Sequence, residues 1–201
     1  MSGSREEQRA RALSAALSSR LKGFRKKGAW LRRTRRGDGE LQVLQVLGVQ
    51  VAQQRTAGRD ARVHVSVGAG LLGLPGVPLD AERVRPRDCL WAERLEDQEI
   101  GDEVAEIADD VAVEAEAWFE AHGTVEQLLA PFEDRDPGQV RGWIGQVDAV
   151  VAAWAVRGEE ERARALFEAK HAHLREVGRA EPEAMAAMAR ALGWAGDDEG
   201  W

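Results

Sequence analysis

The chain has 201 residues, of which 44% are hydrophobic and 31% are charged, and its formal net charge is −7 at pH 7. This length and composition suit a globular core held in one domain with an appendage, or in two small domains. They exclude a membrane-spanning helix, which needs an apolar run of roughly 18 residues, and an internal disulfide, since Cys89 is the only cysteine.

The first part of the chain predicts one helix followed by strands. Residues 6–22 carry apolar side chains at steps of three and four, typical of an amphipathic helix that Gly23 would end. Residues 24–34 alternate with a period of two, which predicts a strand, and the RRGDG segment after them predicts a turn. Short turn-rich connections predict three further strands, over residues 41–51, 63–67 and 88–95.

A glycine-rich stretch lies at residues 68–76 and contains the spacing G-x-G-x-x-G. The dinucleotide-binding interpretation needs a helix start directly after the glycines and a βαβ unit around them. Leucines and a proline occupy the place of that helix start. The stretch is therefore predicted to be a mobile or apolar-packed loop.

The second part predicts helices. Residues 100–122 repeat apolar side chains at steps of four and three, the strongest periodic pattern in the chain. Thr124 and Gln127 have the spacing of a capping box, and Asp136-Pro137 precedes another helix. Gly158 is expected to separate that helix from the next, and Pro182 to open the last one. Most tryptophans fall on the apolar faces of these predicted helices, here called seams. This position predicts that the tryptophan side chains pack in the core.

These elements predict an α+β fold. About four strands form an antiparallel meander packed with the N-terminal helix and the long acidic helix, and a helical C-terminal extension follows. We expect an α+β domain over residues 1–134, with a helical hairpin and a C-terminal helix, residues 135–201, packed on it.

The order of the first elements resembles an uncharacterised bacterial family, the domain of unknown function 4304. The resemblance covers roughly residues 5–120 and rests on Gly23-Phe24, Trp30 and Gln50, followed by the valines of residues 63–67 and the pair Arg94-Leu95. It implies an α+β fold and no activity, because the family has none assigned that could be carried over.

The charge is polarised along the chain. Residues 1–40 hold twelve bases and four acids, whereas residues 92–134 hold one base and fifteen acids. Such asymmetry marks either partner surfaces or two parts of one fold that neutralise each other.

The basic stretch, residues 21–38, admits three interpretations. Its bases could bind phosphates with Trp30 stacking on a nucleic-acid base, they could bind an acidic protein, or they could be a solvated edge paired within the chain. Alternation on a single strand would place the bases on both faces, which makes nucleic acid the less favoured partner. The candidate basic surface comprises Arg25, Lys26, Lys27, Arg32, Arg33, Arg35 and Arg36.

The acidic helix is expected to expose its carboxylates to solvent or to a basic partner. A di-metal helical site would need Glu-x-x-His motifs on facing helices, and the sequence contains none, so we expect no metal. The candidate acidic surface comprises Glu99, Asp102, Glu103, Glu106, Asp109 and Asp110.

Histidine and cysteine give little indication of catalysis. His171 and His173 point apart on a helix and cannot easily share one metal ion. His64 has no accompanying nucleophile motif. Cys89 is expected to be a small buried hydrophobe rather than a reactive thiol.

Three functional hypotheses follow. The first is a non-catalytic protein-interaction or accessory module, of the immunity type among others, whose partner is another protein. The second is nucleic-acid binding through the basic strand, and the third is an enzyme whose site is built from scattered residues such as Gln50, His64 and Arg94. No cofactor is expected, the N-terminus lacks the apolar core of a secretory signal, and the location is expected to be cytoplasmic. The 24 arginines against four lysines, with no tyrosine or asparagine, suggest a bacterium with a GC-rich genome of the actinobacterial sort.

Overall fold

A computed structural model describes most of the chain. The described residues are 5–28, 30–37, 41–52, 62–77, 84–86, 88–92, 103–142, 144–178 and 182–194. Within them the protein has the predicted α+β fold, with an antiparallel five-stranded sheet, an N-terminal helix and a set of C-terminal helices.

Five strands and six α-helices are described. The strands are β1 (Arg25–Lys27), β2 (Trp30–Arg36), β3 (Gln42–Ala52), β4 (Arg62–Leu72) and β5 (Asp88–Ala92), and they lie side by side in that order. The helices are α1 (Arg5–Arg20), α2 (Glu103–Ala121), α3 (Val125–Glu133), α4 (Ile144–Val156), α5 (Glu160–Glu176) and α6 (Pro182–Ala191), with a 3₁₀ helix at Pro137–Gly142 before α4.

The single strand predicted over residues 24–34 is a hairpin, which is why the sheet has five strands rather than about four. Gly28 has a φ of +64°, a conformation that glycine adopts without steric penalty, and the chain reverses there. Lys27 then lies opposite Trp30 in an antiparallel pair. β2 continues through Arg36, so the arginines that were assigned to the RRGDG turn lie in the strand.

The glycine-rich loop was also predicted to begin too early. β4 runs through Gly68 and Gly70 to Leu72. A side chain at Gly68 would collide with the carbonyl oxygen of Arg85, and one at Gly70 would press on Val84. The segment at residues 84–86 therefore packs directly on the backbone of β4, and the glycines leave room for it within a regular strand.

Contacts divide the chain into two compact units. The first, called here the sheet unit, contains Met1–Arg35, Leu44–Gly70 and Glu82–Gly123, and the second, the helical unit, contains the remaining segments. The boundary predicted at residue 135 stays a prediction.

The core of the sheet unit joins α1 and α2 to one face of the sheet. The apolar residues predicted to bury one side of α1, namely Ala10, Leu13, Leu17 and Leu21, are all buried. On α2 the apolar pattern predicted that Trp118 would be buried, but Phe119 is buried in its place and Trp118 is half-buried. Trp118 instead stacks on His122. The buried residues are Ala10, Leu13, Leu17, Leu21, Phe24, Leu31, Leu47, Val49, Val63, Val65, Val67, Ala108, Val111, Ala115 and Phe119.

The helical unit has its own core, built mainly by α4, α5 and α6 with Trp154 at its centre. The capping box at the start of α3 is confirmed, since the backbone N–H of Gln127 donates to Thr124 Oγ1 at 3.2 Å and the Thr124 N–H donates to Gln127 Oε1 at 3.0 Å. Gly158 separates α4 from α5 as predicted. The helix predicted to begin at Pro137 is divided into the 3₁₀ helix and α4, and the Asp136 carboxylate tightens the first turn by accepting the Gly138 N–H.

Lys170 is the one buried lysine among the described residues, with 4% of its surface exposed. Its ammonium group donates to both carboxylate oxygens of Asp148 at 2.7 Å. This pair joins α5 to α4 and explains how a lysine can occupy the apolar seam that the sequence predicted for α5.

Candidate binding site

The register of the β1–β2 hairpin determines which faces its bases occupy. Arg25 lies opposite Arg32, and Lys27 lies opposite Trp30. Directly opposed residues of an antiparallel pair project to the same face, while neighbours along a strand alternate. Arg25, Lys27, Trp30 and Arg32 therefore share one face of the hairpin. Lys26, Leu31 and Arg33 belong to the other, on which α1 and α2 pack, since Leu31 is buried in the core that these helices form.

Arg33 is fixed against α2 by a fork of hydrogen bonds. Its Nη1 and Nη2 donate to Oε1 and Oε2 of Glu116 at 3.0 and 2.8 Å. Its Nε donates to Gln45 Oε1 at 2.9 Å, and Nη1 also donates to the carbonyl of Lys22 at 3.1 Å. The guanidinium carbon lies 4.4 Å from the ring centre of Phe24. Arg33 and Glu116 therefore form a structural ion pair, in which only 12% of the Arg33 side chain is exposed.

Gln45 completes this cluster from the centre of the sheet. It is fully buried in β3, and its Nε2 donates to the carbonyl of Phe119 at 2.6 Å. Sequence reasoning missed Gln45, and it placed Glu116 on the solvated face of the acidic helix. The alternation of β3 contained a signal for the former, because Gln45 has the same parity as the inward-facing Val43 and Leu47.

The opposite face is the candidate site and is called the basic face, defined by Arg25, Lys27, Trp30, Arg32 and Arg85. Arg85 reaches it from the segment that packs on Gly48 and Gly68, and its guanidinium carbon lies 4.8 Å from the Trp30 ring centre. The guanidinium carbon of Arg32 lies 5.8 Å from the same ring. Two cations over one indole are typical cation–π geometry. Arg85 is about fifty residues away in sequence, and no pattern connected it to the basic stretch.

Arg32 differs from Arg33 in having unsatisfied donors. Its Nε and Nη1 atoms are buried and have no hydrogen-bond partner among the described residues. Arg25 has no carboxylate partner there either, and it is exposed on the edge strand. The basic face therefore brings Arg25 close to an Arg32 guanidinium that has two unsatisfied donors.

The other predicted bases have separate surroundings. Lys26 is exposed on β1, Arg35 is half-buried with its Nη1 beside Gly123, and Arg36 is exposed at the end of β2. By the alternation of β2, Arg35 has the parity of Arg33, whereas Arg36 has the parity of Trp30 and Arg32 at the far end of the strand.

The predicted acidic surface lies on α2 where it is described. Glu103, Glu106, Asp109 and Asp110 are exposed, and Glu99 and Asp102 lie outside the described residues. Arg20 of α1 donates to Asp109 through Nε at 2.5 Å and through Nη2 at 3.3 Å. These hydrogen bonds, and secondarily the opposite charge, hold the pKa of Asp109 below its ordinary value of 3.8. Asp109 is therefore part of the α1–α2 contact.

The enzyme site predicted from Gln50, His64 and Arg94 stays a prediction, because its three residues are not all described. His64 is half-buried in β4, Gln50 is exposed near the end of β3, and Arg94 lies outside the described residues. Cys89 is exposed on β5, so the prediction that it is buried was wrong. β5 forms the other edge of the sheet, and an edge strand is less covered than a central one.

Other chemical groups are dispersed. No cluster of three or more His, Cys, Asp or Glu side chains suited to a metal ion occurs in the part of the chain that the structure describes. His122 donates through Nδ1 to the carbonyl of Trp118 at 2.8 Å, which places its proton on that nitrogen. A cavity of about 350 Å³ in the helical unit is lined by Asp134, Arg135, Asp136, Gln139 and Gly142.

Comparisons with protein-family models, with curated proteins and with solved structures found no match to this chain. The resemblance to the domain of unknown function 4304 family stays a prediction. Among the described residues, no helix has both the length and the apolar character needed to cross a membrane.

Proposed function

We propose that this protein is a non-catalytic binding module whose basic face binds an acidic segment of another protein. One observation carries the proposal. The hairpin register puts Arg25, Lys27 and Arg32 on the same face as Trp30, with Arg85 over the indole, while the one inward arginine of the cluster, Arg33, is already neutralised by Glu116.

The position of β1 supports an extended partner. β1 is the first strand of the sheet and all three of its residues are exposed. An edge strand offers backbone donors and acceptors to an added strand, and the basic side chains favour a segment rich in Asp and Glu. The same charges oppose pairing with a second copy of this strand.

A protein partner fits the face better than nucleic acid does. Arg85 lies over the Trp30 ring, at the place where a nucleic-acid base would stack. Single-stranded nucleic acid is the second candidate, because it is favoured by an indole surrounded by bases.

The accessory or immunity-type role, the cytoplasmic location and the GC-rich bacterial source are further parts of the proposal. They rest on composition, on the absence of a recognisable reaction motif in the sequence, and on the charge layout. None of these roles requires the basic face to do more than bind a partner.

Two neighbouring lysines allow a matched test of the proposal. Lys27 belongs to the basic face and Lys26 to the opposite face of β1, and both are exposed. Fluorescence anisotropy of a labelled Glu-rich peptide with the full-length chain, at about 50 mM salt, should show binding. Lys27→Ala should weaken it about two- to fivefold, the size of one exposed ion pair, and Lys26→Ala should have less effect.

Equal losses in the two variants, or no binding of the peptide to the unaltered chain, would overturn the proposal. A labelled single-stranded oligonucleotide in the same assay decides the second candidate. Tight, Lys27-dependent binding of the oligonucleotide without binding of the peptide would favour nucleic acid.

A further inference from the structure

Arg32 contains the least satisfied polar group of the basic face. Two of its nitrogens, Nε and Nη1, are shielded from solvent and have no acceptor among the described residues. A guanidinium stays protonated at any physiological pH, so it cannot relieve this burial by losing its charge. A buried cation without a partner is strongly unfavourable, which makes the site receptive to an anion.

The residues around Arg32 also favour the binding of an anion. Arg25 lies directly opposite across the hairpin, and like charges in that position destabilise a strand pair. Arg85 adds a third guanidinium over the Trp30 ring. One anion placed between these groups would reduce their mutual repulsion and supply the missing acceptors.

Arg33 shows what a satisfied guanidinium of the same strand looks like. It donates to a carboxylate in bidentate fashion and lies against the aromatic ring of Phe24. Arg32 has the aromatic neighbour, Trp30, but its Nε and Nη1 have no acceptor among the described residues. The two adjacent residues therefore present the same arrangement on opposite faces, with one acceptor absent.

We infer that Arg32, with Trp30 beside it and Arg25 and Arg85 around it, forms a subsite for a carboxylate group. The inference rests on the proposed function for the source of that group, an Asp, Glu or C-terminal carboxylate of the partner segment. A bidentate carboxylate satisfies the buried donors of Arg32, and the indole excludes water from one side of the ion pair.

Small anions test the subsite without the partner. The melting temperature of the full-length chain is measured in sodium acetate, sodium phosphate and sodium chloride at equal ionic strength. Acetate should raise it above the chloride value, because a ligand that binds only the folded state stabilises that state. Arg32→Met should abolish the acetate effect, and it should raise the melting temperature in chloride because the unpaired buried charge is gone.

Lys26→Met is the control, since Lys26 is exposed and belongs to the opposite face of the hairpin. It should keep the acetate effect. Arg32→Gln, a smaller change in polarity, replaces Arg32→Met if that variant fails to fold. An acetate effect that persists without Arg32 would be a solvent effect and would overturn the subsite, as would an Arg32-dependent stabilisation that is larger for phosphate than for acetate, because phosphate also stabilises folded proteins in general.

The Glu-rich peptide separates the two proposals. Arg32→Met should weaken peptide binding about tenfold or more, the size of a charge-assisted hydrogen bond. Unchanged peptide binding in this variant would overturn the subsite and leave the proposed function standing. An Arg32-dependent acetate effect with no peptide binding would support the subsite and contradict the proposed function.

Discussion

Arg32 and Arg33 are neighbours in sequence with opposite roles. The alternation of β2 directs Arg33 to Glu116 and Gln45, whereas Arg32 projects to the opposite face, where its Nε and Nη1 have no hydrogen-bond partner among the described residues. Only a guanidinium provides the fork that bonds Glu116 through two nitrogens and Gln45 through a third. The parity of a position in β2 therefore decides whether its arginine faces α2, as Arg33 does, or the opposite side, as Arg32 does.

Arg33→Lys should therefore destabilise the protein. An ammonium group cannot reproduce the bidentate bond to Glu116 together with the bond to Gln45, so we expect a loss of about 1–3 kcal/mol in the free energy of unfolding. Chemical denaturation followed by circular dichroism measures it. Arg36→Lys, at an exposed position of the same strand, should change stability by less than about 0.5 kcal/mol. Equal effects of the two changes would contradict the structural role of Arg33.

Asp109 gives a pH-dependent prediction. Its pKa is lowered in the folded protein by Arg20, so the unfolded state binds its proton more readily. The stabilisation is complete above the ordinary pKa of 3.8 and is lost as the pH falls through the lower, folded value. NMR titration of the Asp109 carboxyl should give a pKa below 3.8 that returns toward 3.8 in Arg20→Ala. An unshifted Asp109 in the unaltered chain would contradict the ion pair.

Two local elements build the basic face, the β1–β2 hairpin and the segment at residues 84–86. The hairpin forms because Gly28 permits the reversal between Lys27 and Trp30. The segment brings Arg85 to Trp30 because Gly48, Gly68 and Gly70 have no side chains to hold it away from the sheet. Gly28 thus acts through its backbone freedom, whereas Gly48, Gly68 and Gly70 act through their lack of a side chain.

Gly68→Ala tests the second of these roles. The added methyl group would collide with the carbonyl of Arg85, so the segment must shift or the strand must distort. We expect a loss of about 1–3 kcal/mol in unfolding free energy and weaker peptide binding as Arg85 moves. Denaturation and anisotropy measure the two effects.

Gly145→Ala is the control for that change, because nothing lies within 4 Å of the position where its methyl group would be. Gly145 is in helix α4, where alanine is favoured over glycine, so a small gain in stability is expected. Tolerance of alanine at Gly68 equal to that at Gly145 would show that the segment does not rest on this glycine.

Over the whole molecule, charge is separated by location. The net charge is −7, yet Arg25, Lys27 and Arg32 share the hairpin face opposite α2, with Arg85 beside them. The sheet unit and the helical unit each have a separate buried core. Binding of an acidic partner therefore depends on a local field that opposes the overall charge of the protein.

The salt dependence of peptide binding tests this local field. Added salt screens exposed charges, with a Debye length of about 10 Å at 0.1 M, so affinity should fall as salt rises. The dependence should be shallower for Lys27→Ala than for Lys26→Ala, because only the former removes a charge from the basic face. Affinity curves measured by anisotropy at several salt concentrations should therefore differ in slope, and parallel curves would contradict the assignment.

Much of the fold could be predicted from local patterns. The seam of α1, the capping box at Thr124 and the break at Gly158 are confirmed, because each depends on residues within one or two helical turns. The strand at β4 was predicted too short, and Cys89 was predicted buried. Both errors arose because the residues of a strand do not specify which other segments of the chain pack on it.

The α+β class, the apolar face of α1 and the excess of bases near the first strands can be predicted from periodicity and composition, because these are local properties. Which of those bases are available for binding depends on contacts that form only in the folded chain. Strand register assigned Arg33 to Glu116 and Arg32 to the opposite face, and the approach of residues 84–86 to glycines in β3 and β4 brought Arg85 to Trp30. These placements depend on contacts between residues far apart in sequence, so no single segment of the chain is enough to predict them.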